Sequence, residues 1–193
     1  MRKNNSYGLA TLRTRHVTIS GGRAKLQFRG KGGLKREAVI DDRRLVRLLS
    51  ELKRLPGAHV FQYIDEAGQH HRADAMAVND YLRERTSHAF TAKDFCTWKA
   101  SALAAGMLYE RRDIDKLTAR KRRMNKTVAA VANALGNTPT ICRKYYIHAG
   151  LLEAYLEGQL PQLFQRCSRR RKGALSPEEQ VLAHFLRRWP ASR

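Results

Sequence analysis

Acidic residues are scarce in this chain of 193 residues: 17 Asp and Glu stand against 38 Lys and Arg, a formal net charge of +21. A charge of that size repels itself in a compact fold, and a polyanionic partner offsets the cost. Apolar runs of about 18 residues are missing, and so are a signal-peptide pattern and a long basic amphipathic helix with a wide apolar face. These absences argue against an anionic membrane and leave nucleic acid as the expected partner. Cysteine is sparse too. Cys96, Cys142 and Cys167 form no CxxC pair and have no histidine cluster at zinc-ligand spacing. Neither a disulfide framework nor a metal site is indicated, and the cytosol is the expected compartment, in association with the nucleoid. The acidic pairs Asp41-Asp42 and Glu178-Glu179 are adjacent in sequence, which suits solvated helix starts better than a metal-bound water.

With 42% hydrophobic residues, the chain is long enough for one main domain with a core. Val17 and Ile19, then Leu26 and Phe28, then Val39 follow a period of two and predict a small antiparallel sheet, with Ser20-Gly21-Gly22-Arg23 as a hairpin turn. Gly30-Lys31-Gly32-Gly33 follows the second strand and places Lys31 on an exposed turn. Beyond Asp41-Asp42 the period becomes helical: Leu45, Leu48, Leu49 and Leu52 recur until Pro56-Gly57 stops the helix. Further helices are expected from about Ala73 to Arg85, and from Thr91 with Phe95, Trp98, Ala102 and Leu103 as mostly core positions. Two more are expected over Lys116–Leu135 and Thr138–Glu157, separated by Gly136-Asn137. The basic run Arg166–Lys172 reads as a linker before a terminal helix that opens at Ser176-Pro177-Glu178-Glu179 and ends near Trp189. The expected fold is a mainly helical α+β domain over residues 1–165 with a small amino-terminal sheet, followed by the linker and helix of 166–193.

Gly136-Asn137-Thr138-Pro139-Thr140-Ile141-Cys142-Arg143-Lys144-Tyr145-Tyr146 resembles the active-site motif of bacterial and poxvirus-like type IB DNA topoisomerases, in which a His or Asn precedes the nucleophilic Tyr by nine positions. Three other stretches match in the family's order. They are Tyr7-Gly8-Leu9-Ala10-Thr11-Leu12-Arg13 with Arg15-His16-Val17, Phe28-Arg29-Gly30-Lys31-Gly32, and Thr91-Ala92-Lys93-Asp94-Phe95-Cys96-Thr97-Trp98. The resemblance implies the catalytic fold shared with tyrosine recombinases, and transient cleavage and resealing of one strand of duplex DNA through a 3′-phosphotyrosyl link. It implies a monomer that needs no cofactor, neither nucleotide nor metal. Tyr146 would be the nucleophile, with Tyr145 as the alternative its adjacency leaves open. Lys31 would be the general acid for the leaving 5′ oxygen, and Asn137 a donor to a non-bridging oxygen. Arg13, Arg15, Arg29, Arg122, Arg123, Arg143 and Lys144 are expected to meet DNA, and the clusters Arg111-Arg112, Arg120–Arg123 and Arg169–Lys172 to grip phosphates.

The family's two phosphate-neutralising arginines are not where the resemblance puts them. One belongs about a dozen residues before Tyr7, in a segment that this chain begins too late to include. The other belongs where Cys96 stands, and a thiol cannot supply a fixed fork of positive donors. A shortened relative that binds DNA and cleaves it poorly is therefore expected, with Lys93 or Lys99, one turn on either side of Cys96, as the substitutes within reach. Three other readings compete. A tyrosine recombinase would carry His-x-x-Arg, where this chain has Lys93 and Cys96. A non-catalytic DNA-binding protein would leave no covalent adduct. An RNA-associated protein would carry the exposed aromatic patterns of single-strand readers, which the chain lacks.

Overall fold

A computed structural model describes residues 6–167 and 173–189. The chain divides into two compact units, residues 1–92 and 93–193. Among the described residues, no helix is long and apolar enough to cross a membrane.

The first unit is built on a three-stranded antiparallel sheet of β1 (Val17–Ser20), β2 (Arg23–Arg29) and β3 (Lys35–Ile40), in that order. Ser20 pairs with Arg23 across a two-residue turn in which Gly21 and Gly22 both have positive φ, the geometry that matches strand twist and that glycine adopts without strain. Helix α1 (Arg43–Arg54) starts at Asp42, whose carboxylate accepts from the amides of Arg44 and Leu45. Its buried positions are Val46 and Leu49, while Leu45 and Leu48 are each 49% exposed. Of the leucine repeat, Leu49 is buried and Leu52 packs against the same core, while Leu45 and Leu48 do not. Val46, Leu49 and Lys53 share the inner face at three- and four-residue spacing, and the Lys53 Nζ donates to the Val17 carbonyl at 2.5 Å. Leu12, Val17, Ala24, Leu26 and Val60 complete this core. A second hairpin, β4 (Gln62–Ile64) and β5 (His70–Arg72), has no counterpart in the sequence expectations. Asp65 closes it by accepting from the amides of Ala67 and Gln69. Helix α2 (Ala75–Thr86) is capped by Asp74.

The second unit is helical. Helix α3 (Ala92–Tyr109) buries a run of small residues, Ala100, Ser101, Ala102, Ala104, Ala105 and Gly106, that lets neighbouring helices approach it closely. Phe95, expected in the core, is 58% exposed. It lies in the first turn of α3, ahead of that small-residue stretch. Helix α4 (Leu117–Leu135) buries Met124, Thr127, Val128, Val131 and Ala132. The helix expected over Thr138–Glu157 is instead two: α5 (Pro139–Tyr145) and α6 (Ala149–Leu156). A short α7 (Leu160–Leu163) follows, and α8 (Pro177–Arg188) opens on a capping box formed by Ser176 and Glu179. The terminal helix shares the unit's core: Val181, Leu182 and Phe185 pack with Leu108, Leu151 and Tyr155. Glu179 also accepts from the Trp98 indole at 2.8 Å, so this acid ties α8 to α3 as well as capping its own helix. The basic cluster Arg169–Lys172 lies outside the described residues.

Candidate active site

Gly136 ends α4 in the left-handed conformation, with φ of 69°. The Asn137 amide returns to the Ala132 carbonyl at 2.9 Å and the Gly136 amide to Asn133 at 3.1 Å, a helix-stop motif that fixes where Asn137 leaves α4. Thr138 then caps α5, its hydroxyl accepting from the Ile141 amide, and Pro139 occupies the first turn, where no amide donor is needed. Buried Cys142 holds α5 against the core. Asn137 at one end and Tyr146 at the other therefore bracket one seven-residue helix. The Asn137 side chain makes no hydrogen bond to another described residue.

Tyr146 is not inside a helix. It is the residue at which α5 stops, with φ −125° and ψ −31°. The amides of Tyr146 and Ile147 both converge on the Cys142 carbonyl at 3.0 Å. Beyond that point the chain is held from outside: the Ser101 hydroxyl, on α3, donates to the Tyr146 carbonyl at 3.2 Å and accepts from the His148 amide at 3.0 Å. These bonds take up backbone groups at the break, and sequence periodicity carries no signal of them.

The two adjacent tyrosines have different surroundings. Tyr145 is 49% exposed, with the Lys144 Nζ 5.2 Å and the Lys93 Nζ 6.0 Å from its ring centroid. Tyr146 is half-buried, its ring packed on the core, and its hydroxyl has no hydrogen-bond partner among the described residues. Lys93 thus stands beside the end of α5, while Cys96 and Lys99 on the same helix are exposed. Next along the chain, burial holds the His148 imidazole below its usual range, with the nearby Glu153 charge acting the other way. The ring of His148 meets Phe185 edge-on at 5.9 Å, a packing role.

The basic residues expected at DNA divide by their contacts. Arg143 and Lys144, in the last turn of α5, and Arg122 on α4 are exposed. Arg123 is partly buried, and one of its Nη donors goes to the Met107 carbonyl at 3.1 Å, so part of its fork is committed inside the unit. In the first unit, Arg15, Arg29, Lys35 and Arg36 line a cleft of about 560 Å³ together with Tyr7 and His16. Arg15 donates to the Tyr7 hydroxyl at 3.0 Å, and the Arg13 guanidinium lies 5.8 Å from the Tyr7 ring centroid. Burial and the charges of Arg15 and Arg13 together lower the His16 pKa, so that ring adds packing rather than charge. The one acid in the cleft, Glu37, is already engaged by Lys25 at 2.9 Å and by Gln27. Lys35 and Arg36 line this cleft without belonging to any of the sequence motifs. The pairings Arg29 with Lys35 and Phe28 with Arg36 bring them beside residues that had been singled out. The turn between those strands contains Lys31. Its backbone is a 3-10 turn with Gly32 and Gly33 at positive φ, and its side chain lies outside the described parts of the structure.

Residues 1–168 match the family described as eukaryotic DNA topoisomerase I, catalytic core. The chain is also 34% identical over 164 residues to the DNA topoisomerase 1B of Acanthamoeba polyphaga mimivirus, an alignment covering 80% of this chain and 48% of that protein. The chain belongs to the type IB DNA topoisomerase family. It spans about half the length of the viral relative. The family match runs through the first unit and through α3 to α7, and α8 packs into the same core although it lies beyond the matched residues.

Proposed function

We propose that this chain is the catalytic part of a DNA topoisomerase that nicks and reseals one strand of duplex DNA, with Tyr146 as nucleophile and the catalytic fold shared with tyrosine recombinases. Attack by the Tyr146 oxygen, which gives up its own proton to solvent, forms a bond to phosphorus as the bond to the 5′ oxygen breaks. The departing oxygen takes a proton from Lys31. One phosphodiester replaces another, so the energy of the cut bond stays in the 3′-phosphotyrosyl link. Reversal needs no ATP.

One observation supports the reading above the rest: in a chain of this family, a single short helix is bracketed by Asn137 and by a tyrosine whose hydroxyl is engaged by no other described residue. Asn137 supplies a neutral donor for a non-bridging oxygen, where charge grows in the transition state. Cys96 supplies none. Loss of one preorganised donor typically costs about 2.7–4 kcal/mol, or roughly a hundred- to a thousand-fold in rate. Lys93, whose Nζ lies 6.0 Å from the Tyr145 ring centroid at the end of α5, is favoured of the two candidate substitutes for the missing charge. Slow turnover is therefore the expected behaviour. Arg15, Arg29, Arg122, Arg143 and Lys144 hold the backbone phosphates, and the protein acts as a monomer.

Relaxation of supercoiled plasmid without ATP or metal tests this, together with capture of a covalent adduct by sudden denaturation. The unmodified chain should relax slowly, Cys96→Arg should be about a hundred-fold faster, and Tyr146→Phe should form no adduct. Adduct formation by Tyr146→Phe would overturn the assignment. Cys96 itself favours a second reading, a DNA-binding protein without turnover. Under that reading neither the unmodified chain nor Cys96→Arg yields an adduct, although both bind duplex.

A further inference from the structure

We propose that Ser101 is a positioning residue for Tyr146: its buried hydroxyl fixes the break between α5 and α6 and so sets where the tyrosine side chain projects. The proposal rests on the reading of Tyr146 as nucleophile. A continuous helix through this segment would pair the His148 amide with the Lys144 carbonyl and the Tyr146 carbonyl with the Gly150 amide. At the break, one hydroxyl does both jobs. It donates to the Tyr146 carbonyl at 3.2 Å and accepts from the His148 amide at 3.0 Å. Serine is the smallest side chain able to donate and accept at once. Ser101 is 4% exposed, in a stretch of α3 where Ala100, Ala102, Ala104 and Ala105 are fully buried.

The arrangement clamps the two peptide groups that flank Ile147 to α3. That helix also carries Lys93 and Cys96, the latter about 7.5 Å earlier along its axis at 1.5 Å per residue. One rigid element thereby sets both the tyrosine and the positions from which positive charge would reach the phosphate. Without the hydroxyl, two part-buried backbone groups lose their partner. The segment can then recover its bonds by extending α5 through residue 146, which rotates the side chain away from its present direction.

The test uses the full chain, both unmodified and with Cys96→Arg, on a duplex whose short cleaved strand departs so that religation cannot follow. Ser101→Ala should bind this DNA within about two-fold of the parent yet form the covalent adduct at least ten-fold more slowly at saturating DNA. Ser101→Thr, which keeps the hydroxyl, should recover most of that rate. A readout independent of turnover is amide hydrogen exchange: the His148 amide should exchange at least ten-fold faster in Ser101→Ala, with the Val128 amide in α4 unchanged. An unchanged adduct rate in Ser101→Ala, or unchanged exchange at His148, overturns the positioning role alone. Absence of adduct from both parents, or its persistence in Tyr146→Phe, overturns the reading of Tyr146 and the positioning role with it.

Discussion

At the scale of single residues, neighbouring side chains of one type have been given separate work by their packing. Two ammonium groups lie within about 6 Å of the Tyr145 ring centroid, and such a ring holds cations through its face, which the hydroxyl does not supply. Tyr145→Phe should therefore leave adduct formation within about two-fold of the parent, whereas Tyr145→Ala should weaken DNA binding by freeing Lys93 and Lys144 from their present positions. An adduct lost in Tyr145→Phe would move the nucleophile one residue. His148 makes a prediction about pH. Burial favours its neutral form, so its folded pKa lies below the usual 6.5. His184 is shifted the same way by burial and by Arg188. The unfolded chain takes up these protons first as pH falls, so the stability they hold is complete above 6.5 and declines below it. Thermal unfolding between pH 7.5 and 5 should show a falling midpoint that His148→Gln makes shallower. A midpoint independent of pH in that window would remove the effect.

Elements are set by close approaches that few side chains permit. A Cβ on Gly150, at the start of α6, would sit 2.4 Å from the Trp189 Nε1 just past α8. Gly150→Ala should therefore force α8 outward and lower stability by about 1–3 kcal/mol, the usual range for overfilling a packed core, read as a shift in the denaturant midpoint. An unchanged midpoint would mean that Trp189 moves aside freely. Helix existence was legible in the sequence wherever a cap coincided with a change of period: Asp42, Asp74 and Ser176 all accept at the helix starts they mark. The face of α1 was less so, because an exposed leucine and a buried one look alike in a repeat. The break at Tyr146 was not legible at all, since the side chain that bonds across it is a serine 45 residues earlier in the chain. The tyrosine proposed as nucleophile stands in a local motif, whereas the backbone around it is held by a long-range bond.

For the whole molecule, the excess of positive charge was readable from composition, but which cations remain free was not. Arg123 spends a donor on Met107, and Lys53 is committed to Val17, so neither contributes fully to an outer field. Arg29, Arg122, Arg143 and Lys144, with Arg15 through the donors it does not give to Tyr7, are the cations of the expected set that can meet a phosphate backbone. One phosphate for each gives about five released counterions, and at a slope of about 0.9 per phosphate duplex affinity should fall roughly 500-fold between 50 and 200 mM salt. Base contacts respond little to salt. Fluorescence anisotropy across that range, with two duplexes of unrelated sequence, separates the two modes: backbone gripping gives steep and parallel slopes. Arg143→Gln should flatten each slope by about one phosphate's worth and lower affinity for both duplexes alike. A shallow slope, or a loss confined to one sequence, would show that this charge serves base recognition rather than the sequence-tolerant hold that relaxation of any supercoiled duplex requires.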